Sequence, residues 1–169
     1  MIAATLEHVR TELEAPEQLS TLLDAQVSSA WPTGEYDREA MEFFRARLEE
    51  GGKAVEGWYG WYVVRKADAH NPRALIGAGG YLGPPDADGT VEVGYSILPE
   101  WQRRGYASEI VQVLVQHAFT FAQVKRVIAH TRETNQASIG VLMRCGFLAA
   151  GAGQEAGTLR FERGRAPRT

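Results

Sequence analysis

The stretch Thr90–Ala107, TVEVGYSILPEWQRRGYA, constrains the fold more than any other part of the chain. Val91, Val93, Tyr95 and Ile97 alternate as residues do along a strand with one buried face, and the alternation stops at Pro99. A basic turn containing Gly105 follows. From Tyr106 the period changes, with Ala107, Ile110, Val111, Leu114, Ala118 and Phe121 recurring at helical spacing. An amphipathic helix so close to a strand must pack its apolar face against the sheet, which calls for an α/β or α+β architecture. The same turn can form an anion cradle. The first amides of a helix have no intrahelical acceptor and sit in the positive end of its dipole. Gly105 lets the backbone approach a ligand closely, and Arg103 and Arg104 bring charge for phosphate oxygens. On these residues alone, an ordinary strand-to-helix connection with surface arginines is an equal reading.

The surrounding residues form motifs. Gln102-Arg103-Arg104-Gly105-Tyr106-Ala107 resembles the acetyl-coenzyme A signature of the GNAT superfamily of N-acetyltransferases, Q/R-x-x-G-x-G/A. Upstream, Glu92-Val93-Gly94-Tyr95-Ser96-Ile97-Leu98-Pro99-Glu100-Trp101 is similar to the E-I-G-Y-x-I/L-x-P-x-Y/W strand of the branch related to ribosomal-protein alanine N-acetyltransferases. Downstream, Thr131, Asn135, Ser138, Leu142, Gly146 and Phe147 match that branch's T-x-x-x-N-x-x-S-x-x-x-L-x-x-x-G-F. The resemblance implies a GNAT domain over residues 1–163. It has a mixed, mostly antiparallel twisted sheet of about seven strands, helices on both faces and a splay between the central strands for the pantetheine arm. It also implies acetyl-coenzyme A as co-substrate.

Composition sets outer bounds. A chain of 169 residues, 44% hydrophobic and 23% charged, suits one globular domain that needs no metal or disulfide staple. The single cysteine, Cys145, cannot form an internal disulfide, which agrees with a reducing cytoplasm. No signal peptide and no membrane span are expected, because the first residues lack a basic region followed by an apolar run. The net charge of −3 gives no support to nucleic acid as a ligand. The basic end, residues 164–169, is expected to be a frayed tail.

Local signals place the remaining elements. A first strand is expected over Thr5–Arg10, and a helix over about Glu17–Ala25 starts after Pro16. Val27–Tyr36 reads as a loop. Asp37 is the expected N-cap of a helix over Arg38–Glu50, ended by Gly51-Gly52. Strands follow over Gly57–Arg65, Ala74–Gly83, Thr90–Leu98 and Arg126–Thr131, then a helix over Asn135–Arg144 and strands over Phe147–Ala150 and Thr158–Glu162.

Acetyl transfer to an amine needs a base, stabilisation of a developing oxyanion and a proton for the departing thiolate. By resemblance, Ser96, Ile97 and Leu98 hold the pantetheine arm through their main chain. Gln102, Arg103, Arg104, Gly105, Tyr106 and Ala107 hold the pyrophosphate, and Asn135 and Ser138 contact the cofactor. Glu92, on one strand face with Gly94 and Ser96, is the candidate base and also faces the amine; a solvated or ion-paired glutamate is the alternative, and His130 and Glu133 are weaker candidates. Many GNAT enzymes carry a tyrosine acid seven residues after the helix asparagine, but that position is Leu142. Ser138 is then the residue near the thiolate, with a backbone-bonded helix serine as the plain alternative. A route without a dedicated acid is also open.

Trp31 and Tyr36 are the substrate-side expectations, since loops carry specificity. The acceptor is a protein N-terminus or a small-molecule amine, attacked directly in a ternary complex; a homodimer follows by analogy only. Loss of catalysis, leaving a coenzyme A-binding sensor, is the rival that Leu142 keeps open. The glycine-rich run Leu75–Gly83 lacks a following helix and is better explained by close approach of adjacent strands or of a ligand than by a dinucleotide site. Cys145 reads as a buried helix-end residue, and the scattered His8, His70, His117 and His130 make no metal pattern.

Overall fold

Thr5, expected inside a strand, instead caps a helix. In the computed structural model, which describes residues 1–166, the chain starts with a two-residue strand β1 (Ile2–Ala3) and then helix α1 (Leu6–Glu14). The Thr5 hydroxyl accepts the His8 amide at 3.3 Å, and the Thr5 amide donates to His8 Nδ1 at 3.2 Å. This reciprocal box satisfies two donors and lets α1 bury Val9 completely. Those bonds, with Leu6, Val9 and Leu13 on the packed side, outweigh the strand-like alternation of TLEHVR.

After a turn at Pro16–Gln18 come α2 (Leu19–Leu23) and, beyond the loop, α3 (Arg38–Gly51). Asp37 caps α3 as expected, its carboxylate accepting the Ala40 amide at 3.0 Å. Then follow β2 (Gly60–Arg65), β3 (Ala74–Tyr81), β4 (Thr90–Ile97), α4 (Tyr106–Ala118), β5 (Arg126–Arg132), α5 (Gln136–Arg144), β6 (Leu148–Ala152) and β7 (Thr158–Gly164). Among the described residues the strands form one seven-stranded mixed sheet in the order β1-β2-β3-β4-β5-β7-β6. Strands β4 and β5 are parallel, whereas β1-β2, β2-β3, β5-β7 and β6-β7 are antiparallel.

Contacts within the chain group into two compact units. One comprises Met1–Gly80 with Tyr95–Arg104, the other Tyr81–Gly94 with the chain from Gly105 onward. In the first, Val9, Leu19, Leu23, Met41, Phe44, Leu48, Tyr62 and Leu75 form a core between α1, α3 and the inner strands. In the second, α4 buries Ile110, Val111, Leu114, Val115 and Ala118, and the Tyr81 hydroxyl donates to the Leu114 carbonyl at 2.6 Å. The parallel register of β4 with β5 spans only Thr90–Glu92 and Arg126–Ile128, although β4 continues to Ile97 and β5 to Arg132. Beyond it β5 stays paired with β7 as far as Arg132↔Thr158.

The end of the chain is tied down further than expected. Gly164 belongs to β7, and the Arg165 guanidinium donates to the carbonyls of Phe119, Phe121 and Val124 at 2.7, 2.6 and 2.8 Å. Arg165 therefore satisfies acceptors just past the end of α4, where carbonyls lack intrahelical donors. The rest of the expected frayed tail, residues 167–169, lies outside the described residues. No helix among the described residues is long and apolar enough to cross a membrane.

Candidate active site

Period-two geometry divides β4 into two faces. Val91, Val93 and Ile97 are buried, whereas Thr90, Glu92, Gly94 and Ser96 project from the other side. Glu92 lies opposite Ile128 in the parallel ladder, and His130, two residues farther along β5, shares its face. The result is a close pair: His130 Nδ1 stands 2.7 Å from Glu92 Oε1, with the two side chains 13% and 24% exposed. His130 Nε2 is buried and has no hydrogen-bond partner. A carboxylate this sheltered, with one oxygen held by an imidazole, is suited to taking a proton directly or through one water.

The C-terminal end of β4 is braced by side chains the sequence did not reveal in that role. The Ile97 carbonyl accepts Gln102 Nε2 at 3.0 Å and the Thr33 hydroxyl at 3.4 Å. The Leu98 amide donates to the Ile76 carbonyl at 2.9 Å, and the Leu98 carbonyl accepts the Trp101 amide at 2.9 Å. Of the main-chain groups expected to hold a pantetheine arm, three are therefore engaged within the protein. The Ile97 amide leaves the strand on the same edge as its carbonyl, opposite the edge that bonds β3. A side chain at Gly77 would run into the Ser96 carbonyl, so the glycine-rich β3 serves close strand approach, as expected.

The turn after β4 is exposed at Gln102, Arg103, Arg104 and Gly105. Gly105 is the N-cap of α4 at φ 87°, in the left-handed region that favours glycine, and no side chain caps the helix. The first intrahelical bond comes from the Glu109 amide to the Gly105 carbonyl at 3.1 Å, so the amides of residues 106–108 point out of the helix start. A Cβ at Gly105 would meet nothing within 4 Å, so the space beside the helix start is open. The Arg104 guanidinium sits 4.9 Å from the Trp101 ring centre, and Arg65 sits 5.3 Å from it.

At the start of α5, Asn135 is the N-cap, its Oδ1 accepting the Ser138 amide at 3.1 Å. That use of Oδ1 leaves Nδ2 as its donor end. Ser138 is half-buried one turn along. Leu142 is fully buried, so α5 turns that position into the interior. Cys145 is buried, its thiol 3.5 Å from the Ser108 carbonyl, and burial pushes that thiol up.

Trp31 and Tyr36 converge on a residue that sequence reasoning passed over. Glu12 is 6% exposed, with the Tyr36 and Tyr62 hydroxyls donating to it at 2.8 and 2.6 Å and the Trp31 indole N–H also bonding it. Burial raises the Glu12 carboxyl above its usual range despite these donors. Tyr36 is itself buried, so its polar end serves the fold, while Trp31 remains partly exposed. A side chain at Gly34 would meet Ser96 Oγ, which places this loop beside Ser96 near the C-terminal end of β4. Among the described residues, no group of three or more His, Cys, Asp or Glu side chains is arranged to hold a metal ion.

Residues 4–148 match the acetyltransferase (GNAT) domain family. The chain is 29% identical over 126 residues to the uncharacterized N-acetyltransferase YjdG of Bacillus subtilis, covering 75% of this chain and 71% of that protein. Its fold matches a ribosomal L7/L12 α-N-protein acetyltransferase solved with coenzyme A, at TM-score 0.65 and 17% identity over 96% of this chain and 92% of that one. It also matches a ribosomal-protein-S5-alanine acetyltransferase from Vibrio fischeri, at TM-score 0.62 and 21% identity over 96% and 90% of the two chains. With a family match across most of its length, the chain belongs to the GNAT acetyltransferases.

Proposed function

We propose that this chain moves an acetyl group from acetyl-coenzyme A to a primary amine by direct attack in a ternary complex, within one GNAT unit spanning residues 1–163. The observation that carries the reading is the segment from Glu92 to Ala107, which puts a sheltered carboxylate on β4 and an uncapped helix start, with arginines before it, at the other end. The open space before Gly105 and the outward amides of Tyr106 and Ala107 fit a pyrophosphate, and Arg103 and Arg104 supply its counter-charge. Gln102, bonded to Ile97, braces that turn. The main chain of Ser96, Ile97 and Leu98 serves the pantetheine arm in this reading; because Ile97 O and both Leu98 groups are engaged, the Ile97 amide is the donor assigned to the arm.

Acetyl-coenzyme A supplies the activated acetyl thioester. Glu92 takes the proton from the acceptor ammonium through a water, the neutral nitrogen bonds the acetyl carbon as the carbon–sulfur electrons pass to sulfur, and the proton that the new amide nitrogen sheds goes to that thiolate. The Ser138 hydroxyl serves the departing thiolate, and buried Leu142 takes no part. The acceptor is a protein N-terminus or a small-molecule amine shaped by Trp31 and the loop around Tyr36, in a cytoplasmic setting. Two of the similar structures are named for ribosomal-protein acceptors, which supports the first choice; a homodimer is proposed by family analogy only.

Thiol release from acetyl-coenzyme A across a panel comprising an alanyl tripeptide, spermidine and an aminoglycoside tests this. Amine-dependent release supports the enzyme; tight coenzyme A binding without turnover on any amine would favour a sensor.

A further inference from the structure

Resting on the reading of Glu92 as the base, we infer that His130 is the positioning residue that aims it, so that the working unit is the Glu92–His130 pair rather than a lone carboxylate. Three proton arrangements connect Nδ1 and Oε1 across their 2.7 Å separation. A doubly protonated imidazole would bury an N–H at Nε2 with no acceptor. A protonated Glu92 donating to bare Nδ1 would do the same, because the neutral ring must then carry its proton on Nε2. Only Nδ1–H donating to an ionised Glu92 leaves Nε2 as a bare lone pair, and native interiors tolerate an unmet acceptor better than an unmet donor. The unmet Nε2 therefore favours this tautomer and this direction of the bond.

The surroundings hold the ring there. A Cβ at Gly153 would come within 3.0 Å of His130 Cδ2, so the absence of a side chain at that position makes room for the imidazole edge. His130 is also locked by its pairing with Arg160 across the β5-β7 ladder. Glu92 is its one hydrogen-bonding side-chain partner among the described residues. With Oε1 held, Oε2 is the oxygen presented to the amine or its bridging water. A base held by a further group follows the same logic as other oriented catalytic pairs.

The test is steady-state transfer to whichever panel amine is best turned over, with a second, activity-free readout. Glu92→Gln should lower kcat about 100-fold. His130→Leu should lower kcat about tenfold with both KM values within about twofold, because a misaimed base slows chemistry without weakening binding. His130→Asn, whose amide N–H can stand where Nδ1–H stood, should recover most of that loss. In a Glu92→Gln background, His130→Leu should cost nothing more. Ring-nitrogen NMR of histidine-labelled protein should show His130 protonated at Nδ1 and bare at Nε2, a pattern that Glu92→Gln alters.

If Glu92→Gln is silent, the base reading falls and the positioning role falls with it. If Glu92→Gln is slow but His130→Leu is not, or the two losses multiply, the base stands and the positioning role is overturned. An Nε2-protonated ring in the parent protein overturns it even where no amine is turned over.

Discussion

The guanidinium of Arg104 lies 4.9 Å from the centre of the Trp101 ring, whose other cationic neighbour, Arg65, lies 5.3 Å from it. Arg104 is otherwise exposed, and a long unrestrained side chain would lose rotamer entropy on meeting a phosphate. The ring reduces that cost by holding the guanidinium beforehand. Trp101→Leu should weaken coenzyme A binding about threefold to fivefold, in line with one exposed cation–π contact. Pantetheine, which lacks the pyrophosphate, should bind parent and variant alike; an equal loss for both ligands in calorimetry would refute the role.

Gly105 separates folding from binding. Its φ of 87° penalises any side chain, but a Cβ there meets nothing within 4 Å. Gly105→Ala should therefore cost about 1 kcal/mol of stability through the backbone alone. The new methyl group would occupy the open space beside the helix start, so coenzyme A affinity should fall by more than tenfold, well beyond what that strain accounts for. Urea denaturation paired with ligand titration reads both quantities.

Cys145 should behave as packing rather than chemistry. Only 3% exposed and with its thiol pushed up by burial, it offers little thiolate. Iodoacetamide should modify it slowly in the native protein and rapidly in urea, while Cys145→Ala should keep kcat within about twofold of the parent, as a residue remote from the reacting atoms does. Rapid native labelling accompanied by loss of activity would give it a functional role.

Elements governed by local rules were legible in the sequence. Asp37 and the Gly51-Gly52 pair bounded α3, and the change of period around Gly105 located both β4 and α4. Helix α1 was missed because its capping box uses His8 at the position where Glu or Gln is the usual signal. What depended on register stayed hidden. His130 meets Glu92 only because Ile128, not a neighbour, pairs with that glutamate. The Glu12 cluster joins residues 12, 31, 36 and 62, and no spacing rule links positions that meet only through tertiary packing.

Glu12 gives the fold a pH dependence whose sign is fixed. Its folded-state pKa is raised, chiefly by burial, with the bonds from Tyr62, Tyr36 and Trp31 opposing that shift. The folded chain therefore holds the Glu12 proton more tightly than the unfolded chain does. Stability from this group is present below the ordinary glutamate range, falls as pH rises through that range to the raised folded value, and is flat above it. Glu12→Gln removes this titration, so the stability of the parent minus that of the variant should decline with rising pH across the window. Glu12→Ala, which strands the two buried tyrosine hydroxyls and the Trp31 N–H, should cost about 3 kcal/mol or more. Urea midpoints measured between pH 4 and 8 for the three proteins check both, and a parent-minus-Gln difference that rises with pH would show that the three donors outweigh burial.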